Sequence, residues 1–173
     1  MKMKPCRLFP LLIVMLLLTA CQRDVSRMAG DYSYKLSGEI EIVAADGTVT
    51  HTVVRKIGQM NILRQQDNDV LVTLNELSGD VVVMQGQVRG DSLILEPAEF
   101  TTTIAALNDD DHSIIEEILN AGEIAGIYKV NASGRGALVD NILILKMHWI
   151  GRQLDTPQTT IEGTDLTLVA ERN

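Results

Sequence analysis

Aromatic side chains are scarce, at 3% of 173 residues. Beyond the first twenty positions they reduce to Tyr32, Tyr34, Phe100, Tyr128 and Trp149. A glycan-binding surface stacks sugars on exposed rings, so this supply speaks against a dedicated sugar-binding module. Cysteine is nearly absent, with Cys6 and Cys21 alone. Positive charge is short as well: 15 basic side chains face 23 acidic ones, a net charge of −8. A nucleic-acid partner needs a basic footprint, so that class is excluded. The chain still has 46% apolar and 22% charged residues, the make-up of a folded globular protein. Its length is that of one domain.

Catalytic and cofactor motifs are missing too. His51, His112 and His148 form no His-x-x-x-His or Cys/His array, so zinc has no ligand set. No Gly-x-Ser-x-Gly nucleophile elbow occurs. No Gly-rich phosphate cradle stands between a strand and a helix, and Gly134-Arg135-Gly136 reads as the opening of a hairpin. Asp109, Asp110 and Asp111 with Glu116 and Glu117 suggest calcium. An EF-hand loop from Asp109 would need Gly at its sixth place and Glu at its twelfth, and finds Ile114 and Asn120. Arg89-Gly90-Asp91 reads as a turn. Of the 23 carboxylates, nothing singles out a glycosidase pair. The expectation is a non-enzymatic protein with no metal and no cofactor.

What is present begins at the N-terminus. Lys2, Lys4 and Arg7 precede the apolar run Leu11 to Leu18, followed by Thr19-Ala20-Cys21. This is the layout of a secretion signal, and the run is too short for a permanent bilayer span. Leu18-Thr19-Ala20-Cys21 resembles the lipobox of bacterial lipoproteins. The resemblance implies a signal peptide at 1–20, cleavage before Cys21 and a lipid on the Cys21 thiol. Loss of Lys2, Lys4 and Arg7 leaves 12 basic against 23 acidic side chains, a mature net charge of −11. Two or three acyl chains anchor stably, because each buried methylene contributes about 0.8 kcal/mol. Residues 21–28 read as a polar tether. No Asp follows Cys21 directly, which by the same resemblance favours the outer membrane; which face of that membrane is left open.

The rest is dominated by period-2 alternation. Tyr32, Tyr34, Leu36, Ile40 and Ile42 point one way, and Ser33, Lys35, Ser37, Glu39 and Glu41 the other. Gly38 falls on the apolar side and marks a bend or bulge. Asp46-Gly47 predicts a hairpin turn. Further strands follow over 48–57, 60–65, 70–75, 81–89 and 92–96, the last stopped by Pro97. Others follow over 100–105, 126–132, 136–139, 142–150 and 164–171. Gln66 to Asp69, Gly79-Asp80, Gly90-Asp91 and Asp140-Asn141 are turn signals. Ser113 and Glu116 form a capping box over an Ile/Leu face, predicting one short inserted helix at about 113–121. Strand Ile142 to Ile150 is apolar on both faces, so it is covered on both or meets a partner.

The fold class is therefore mainly β, an antiparallel meander of about 8–10 strands closing into a barrel. Gly30-Asp31-Tyr32 opens the first strand and Arg172 ends the last. These residues resemble the Gly-x-aromatic opening and late packing cation of lipocalins. The chain resembles small calycin or lipocalin-like lipoproteins of Bacteroidetes type, with the barrel at 29–173. The resemblance implies a binding or accessory module on a membrane lipid anchor. Two readings stand side by side. One is a carrier of a small apolar ligand, with Tyr34, Leu36 and Ile40 lining the lumen. The other is a protein-interaction subunit of an envelope complex, with a barrel filled by side chains.

Overall fold

The computed structural model describes residues 25–105 and 124–173. A helical turn at 25–28 leads into β1 (Gly30–Val43), β2 (Val49–Arg64), β3 (Asp69–Glu76) and β4 (Val81–Arg89). These continue into β5 (Ser92–Ala105), β6 (Ile124–Val139), β7 (Ile142–Gln153) and β8 (Thr160–Arg172). Each strand pairs antiparallel with the next, and β8 returns to β1 to close the barrel. The expected antiparallel meander thus closes with eight strands. The helix expected at 113–121, and the acidic cluster before it, lie outside the described residues.

Alternation decides which side chains enter the barrel. Along β1, Tyr32, Tyr34, Leu36 and Ile40 are buried while Asp31, Ser33, Lys35 and Glu41 are exposed. The same phase recurs around the ring: Met60 and Ile62, Val70 and Val72, Leu143 and Leu145, Leu166 and Leu168 join one continuous core. Each such aliphatic contributes about 1.5–3 kcal/mol on full burial. The bend expected at Gly38 is present as a register shift between Ser37 and Glu41 against β8. There a Cβ would lie 2.8 Å from the Leu166 Cα. The expected turns are also in place. Asp140 and Asn141 both take positive φ (48° and 70°), the geometry of a tight two-residue hairpin.

The strands are fewer and longer than the sequence breaks suggest. β2 runs unbroken through Gly58, β5 through Pro97 and β6 through Gly134. Gly58 lies where β3 comes close: a Cβ would sit 2.0 Å from the Asn75 carbonyl oxygen. Pro97 was expected to stop its strand. It is accommodated because β4 and β5 pair only from Gly86 opposite Leu95 to Arg89 opposite Ser92. Beyond Leu95 no β4 ladder needs an N–H from position 97, and the pairing with β6 slips between Leu95 and Ala98.

Candidate functional site

The β4–β5 seam zips one end of the barrel and parts at the other. At the parted end, called the mouth, β4 has no ladder to β5 before Gly86, and side chains tie β2 and β3 to β5 instead. Lys56 projects inward from β2. Its Nζ donates to Glu76 Oε2 (2.8 Å), Thr102 Oγ1 (2.9 Å) and the Thr103 carbonyl (3.1 Å). All three ammonium protons are therefore used. Ser78 Oγ donates to Glu76 Oε2 at 3.1 Å, and Thr102 Oγ1 donates to Asp80 Oδ2 at 3.5 Å. Side-chain exposure is 12% for Lys56 and 5% for Glu76, so this is a buried ion pair. Such a pair survives only when its remaining hydrogen-bonding capacity is met. Here it clasps β2, β3 and β5 across the mouth.

Tyr34 lies beneath the clasp. Its phenol is pushed well above the usual tyrosine range, first by burial and then by the negative charges of Glu76 and Asp80. Tyr34 and Leu36 line an interior void with Glu76, Phe100 and Trp149. Phe100 meets Trp149 edge-on, with centroids 5.6 Å apart at 79°. The Trp149 indole N–H is buried with no hydrogen-bond partner among the described residues. The void measures about 10 Å³, room for about one water. An apolar ligand needs roughly 300 Å³ or more. Of the lumen candidates, Tyr34 and Leu36 do meet at this void. Ile40 is buried farther along β1, where a Cβ on Gly163 would come within 2.8 Å of its Cγ2.

The opposite end is plugged. Val25 and Met28 of the helical turn are buried in the core, so packing begins inside the segment 21–28 expected to be a tether. Tyr32 Oη donates to the Met28 carbonyl at 2.7 Å. The Arg172 guanidinium lies 5.7 Å from the Tyr32 ring centroid. It also donates to the carbonyls of Arg27 and Ala29. Gly30 takes a positive φ of 149°, which favours glycine, and a Cβ there would lie 2.8 Å from Arg172 Nη2. Gly30, Tyr32 and Arg172, which carried the family resemblance, are thus brought together by the closure of β1 on β8.

No family model and no curated protein matches the chain. Among solved structures it is similar to a redesigned β-barrel, mFAP1, bound to DFHBI. The two are 13% identical, the match covers 87% of this chain and 99% of the other, and the TM-score is 0.36.

The outer surface holds the remaining candidates. His51 Nδ1 sits 2.7 Å from Glu39 and His148 Nε2 3.7 Å from Glu162, both at exposed positions. Arg27 pairs with Asp91 at 3.0 Å, so the Arg89-Gly90-Asp91 turn is tied to the plugged end. On β7 the inner residues Leu143, Leu145, Met147 and Trp149 are core, whereas Ile144 and Ile150 are exposed on the outer face. Sequence reading missed the Lys56–Glu76–Thr102 clasp. The signal was available: Lys56 is in phase with buried Val54, and Glu76 with buried Val72 and Leu74.

Proposed function

We propose that this chain is a lipid-anchored protein of the outer membrane whose lipocalin-like barrel is a non-enzymatic accessory module. It works through its outer surface rather than by carrying a ligand inside. The packed interior among the described residues carries this reading, because the void beside Tyr34 and Trp149, about 10 Å³, leaves no place there for an apolar cargo. That favours the interaction-subunit role over the carrier role. The anchor is the lipid on Cys21, supported by the Leu18-Thr19-Ala20-Cys21 box after an apolar run. Packing that starts at Val25 adds an orientation. Four residue steps separate Cys21 from Val25, at most about 14 Å of extended chain. The plugged end therefore faces the bilayer and the mouth points away from it.

Labelling with radioactive palmitate tests the anchor. The expected result is incorporation in the wild-type chain and none in Cys21→Ala. Equal labelling of the two would sink the reading. Native mass spectrometry after mild extraction tests the sealed interior: the expected spectrum shows no co-purifying small apolar molecule.

A further inference from the structure

We propose that the outer face of the β5–β6–β7 bend is a binding site for a doubly charged oxyanion of the phosphate class, held by Arg135 and Lys146. These two cations stand directly opposite each other in the ladder, and both are exposed. Opposed residues have Cβ atoms about 4.5–5.5 Å apart, and like charges so placed destabilise a sheet. Neither has an acidic partner among the described residues. Lys146 Nζ donates to Thr167 Oγ1 at 2.9 Å, and among the described residues no hydrogen bond or ion pair engages Arg135. Among the described residues the repulsion is therefore left standing, on a chain rich in acids.

The neighbourhood repeats the point. Across five ladders the outward row reads Ile94, Arg135, Lys146, Thr167, Ser37, Arg55. The next row toward the plugged end runs from Ser92 to Ile57 through Ile144, Val169 and Lys35. Neither row contains an acid, although the sequence has 23. An open groove of about 900 Å³ lies here, lined by Ile94, Ser133, Arg135, Lys146, His148 and one acid, Asp165. Glycines shape it. A Cβ on Gly136 would fall 1.8 Å from the Ile144 carbonyl oxygen, and one on Gly134 would fall 2.4 Å from Met147 Sδ. Only bare backbone lets β6 lie this close to β7, and Arg135 stands between the two glycines.

The charge count selects the ligand. A monocarboxylate would neutralise one of the opposed cations and leave the other. A phosphate dianion satisfies both, with a guanidinium fork on one side and an ammonium point charge on the other. Ser133 adds a hydroxyl donor to the groove. A soluble phosphate and a phospholipid headgroup share this chemistry. The site does not depend on the Cys21 anchor, and either can fail alone.

The test uses the full-length ¹⁵N-labelled protein in phosphatidylcholine bicelles. It follows the Arg135 side-chain Nε signal, assigned by its loss in Arg135→Gln. One arm titrates inorganic phosphate at about pH 7.5, where it is mainly the dianion; the other dopes the bicelles with phosphatidic acid. A saturable shift in the first arm assigns a soluble ligand, and one in the second a lipid headgroup. Lys146→Gln should weaken the response by about tenfold or more. Lys129→Gln, whose cation pairs with Glu99 at 2.7 Å, should change it by less than about twofold. No shift with either probe, or equal weakening in the two lysine variants, overturns the site.

Discussion

Tyr32 and Tyr34 are two positions apart on one face of β1, yet they meet opposite electrostatics, one facing the plugged end and the other the clasp at the mouth. Tyr32 lies against the Arg172 cation and a turn of backbone carbonyls. Tyr34 lies under Glu76 and Asp80. At the plugged end, backbone and core do the closing: Val25 and Met28 fill the bore, and the β4–β5 ladder is intact. At the mouth that ladder has ended, and a buried lysine with its acceptors holds the strands. The plugged end is redundant, because several modest contacts share the task. Among the described residues the mouth is concentrated in one ion pair, and it should be the more fragile end.

The strongest way to break this contrast is Glu76→Ala. It leaves the Lys56 ammonium buried with only hydroxyl and carbonyl acceptors, a loss expected at about 3–5 kcal/mol. Urea unfolding measures the loss, and hydrogen exchange at Val81–Gln85 should accelerate first. The double variant Lys56→Met, Glu76→Leu removes both charges and should recover most of the stability. If the double variant is as unstable as the single one, the clasp is not an ion pair in energetic terms.

Arg172→Ala is the matching test at the plugged end, with a smaller expected effect. It removes a cation–π contact at an exposed residue, about 0.5–1 kcal/mol, and charge-assisted bonds to two carbonyls that water then takes over. The sum is expected near 2 kcal/mol. Calorimetry measures it, and exchange should rise at the Ala29 amide, which donates to the Val25 carbonyl. A loss exceeding that of Glu76→Ala would reverse the ranking of the two ends.

The sequence revealed the barrel more readily than its corners. Alternation in β1 was legible because one face is core and the other water, and the turns were legible because positive φ demands particular residues. The mid-strand breaks at Gly58 and Gly134 were misread for a physical reason. Glycine ends a strand in a flat sheet, whereas in a tightly coiled barrel it is where neighbouring backbones touch. Pro97 misled similarly, since the missing N–H matters only where a ladder needs it. The interior void was unreadable, as packing density depends on which of many inward side chains meet. Lys56 and Glu76 were legible in principle, because each breaks an inward apolar series by one charged residue.

The smallest predicted effect sharpens the contrast between the tyrosines. Burial raises both phenols, but at Tyr32 the Arg172 charge pulls back, whereas at Tyr34 Glu76 and Asp80 push further in the same direction. Unfolded tyrosines ionise near pH 10. Above that pH the unfolded chain sheds protons that the folded barrel retains, so the native state binds more protons and stability falls as pH rises. Below it the full contribution is present. Each tyrosine held protonated adds a slope of about 1.4 kcal/mol per pH unit. Urea midpoints at about pH 9 and about pH 11 should therefore differ less in Tyr34→Phe than in the wild-type protein. Tyr32→Phe should recover a smaller part of the difference. Comparing two pH values within each variant cancels whatever contacts the hydroxyl itself made. An ultraviolet titration adds the order of events, with Tyr34 ionising after Tyr32. If Tyr32 ionises last, the Glu76 and Asp80 carboxylates do not dominate the field at the mouth.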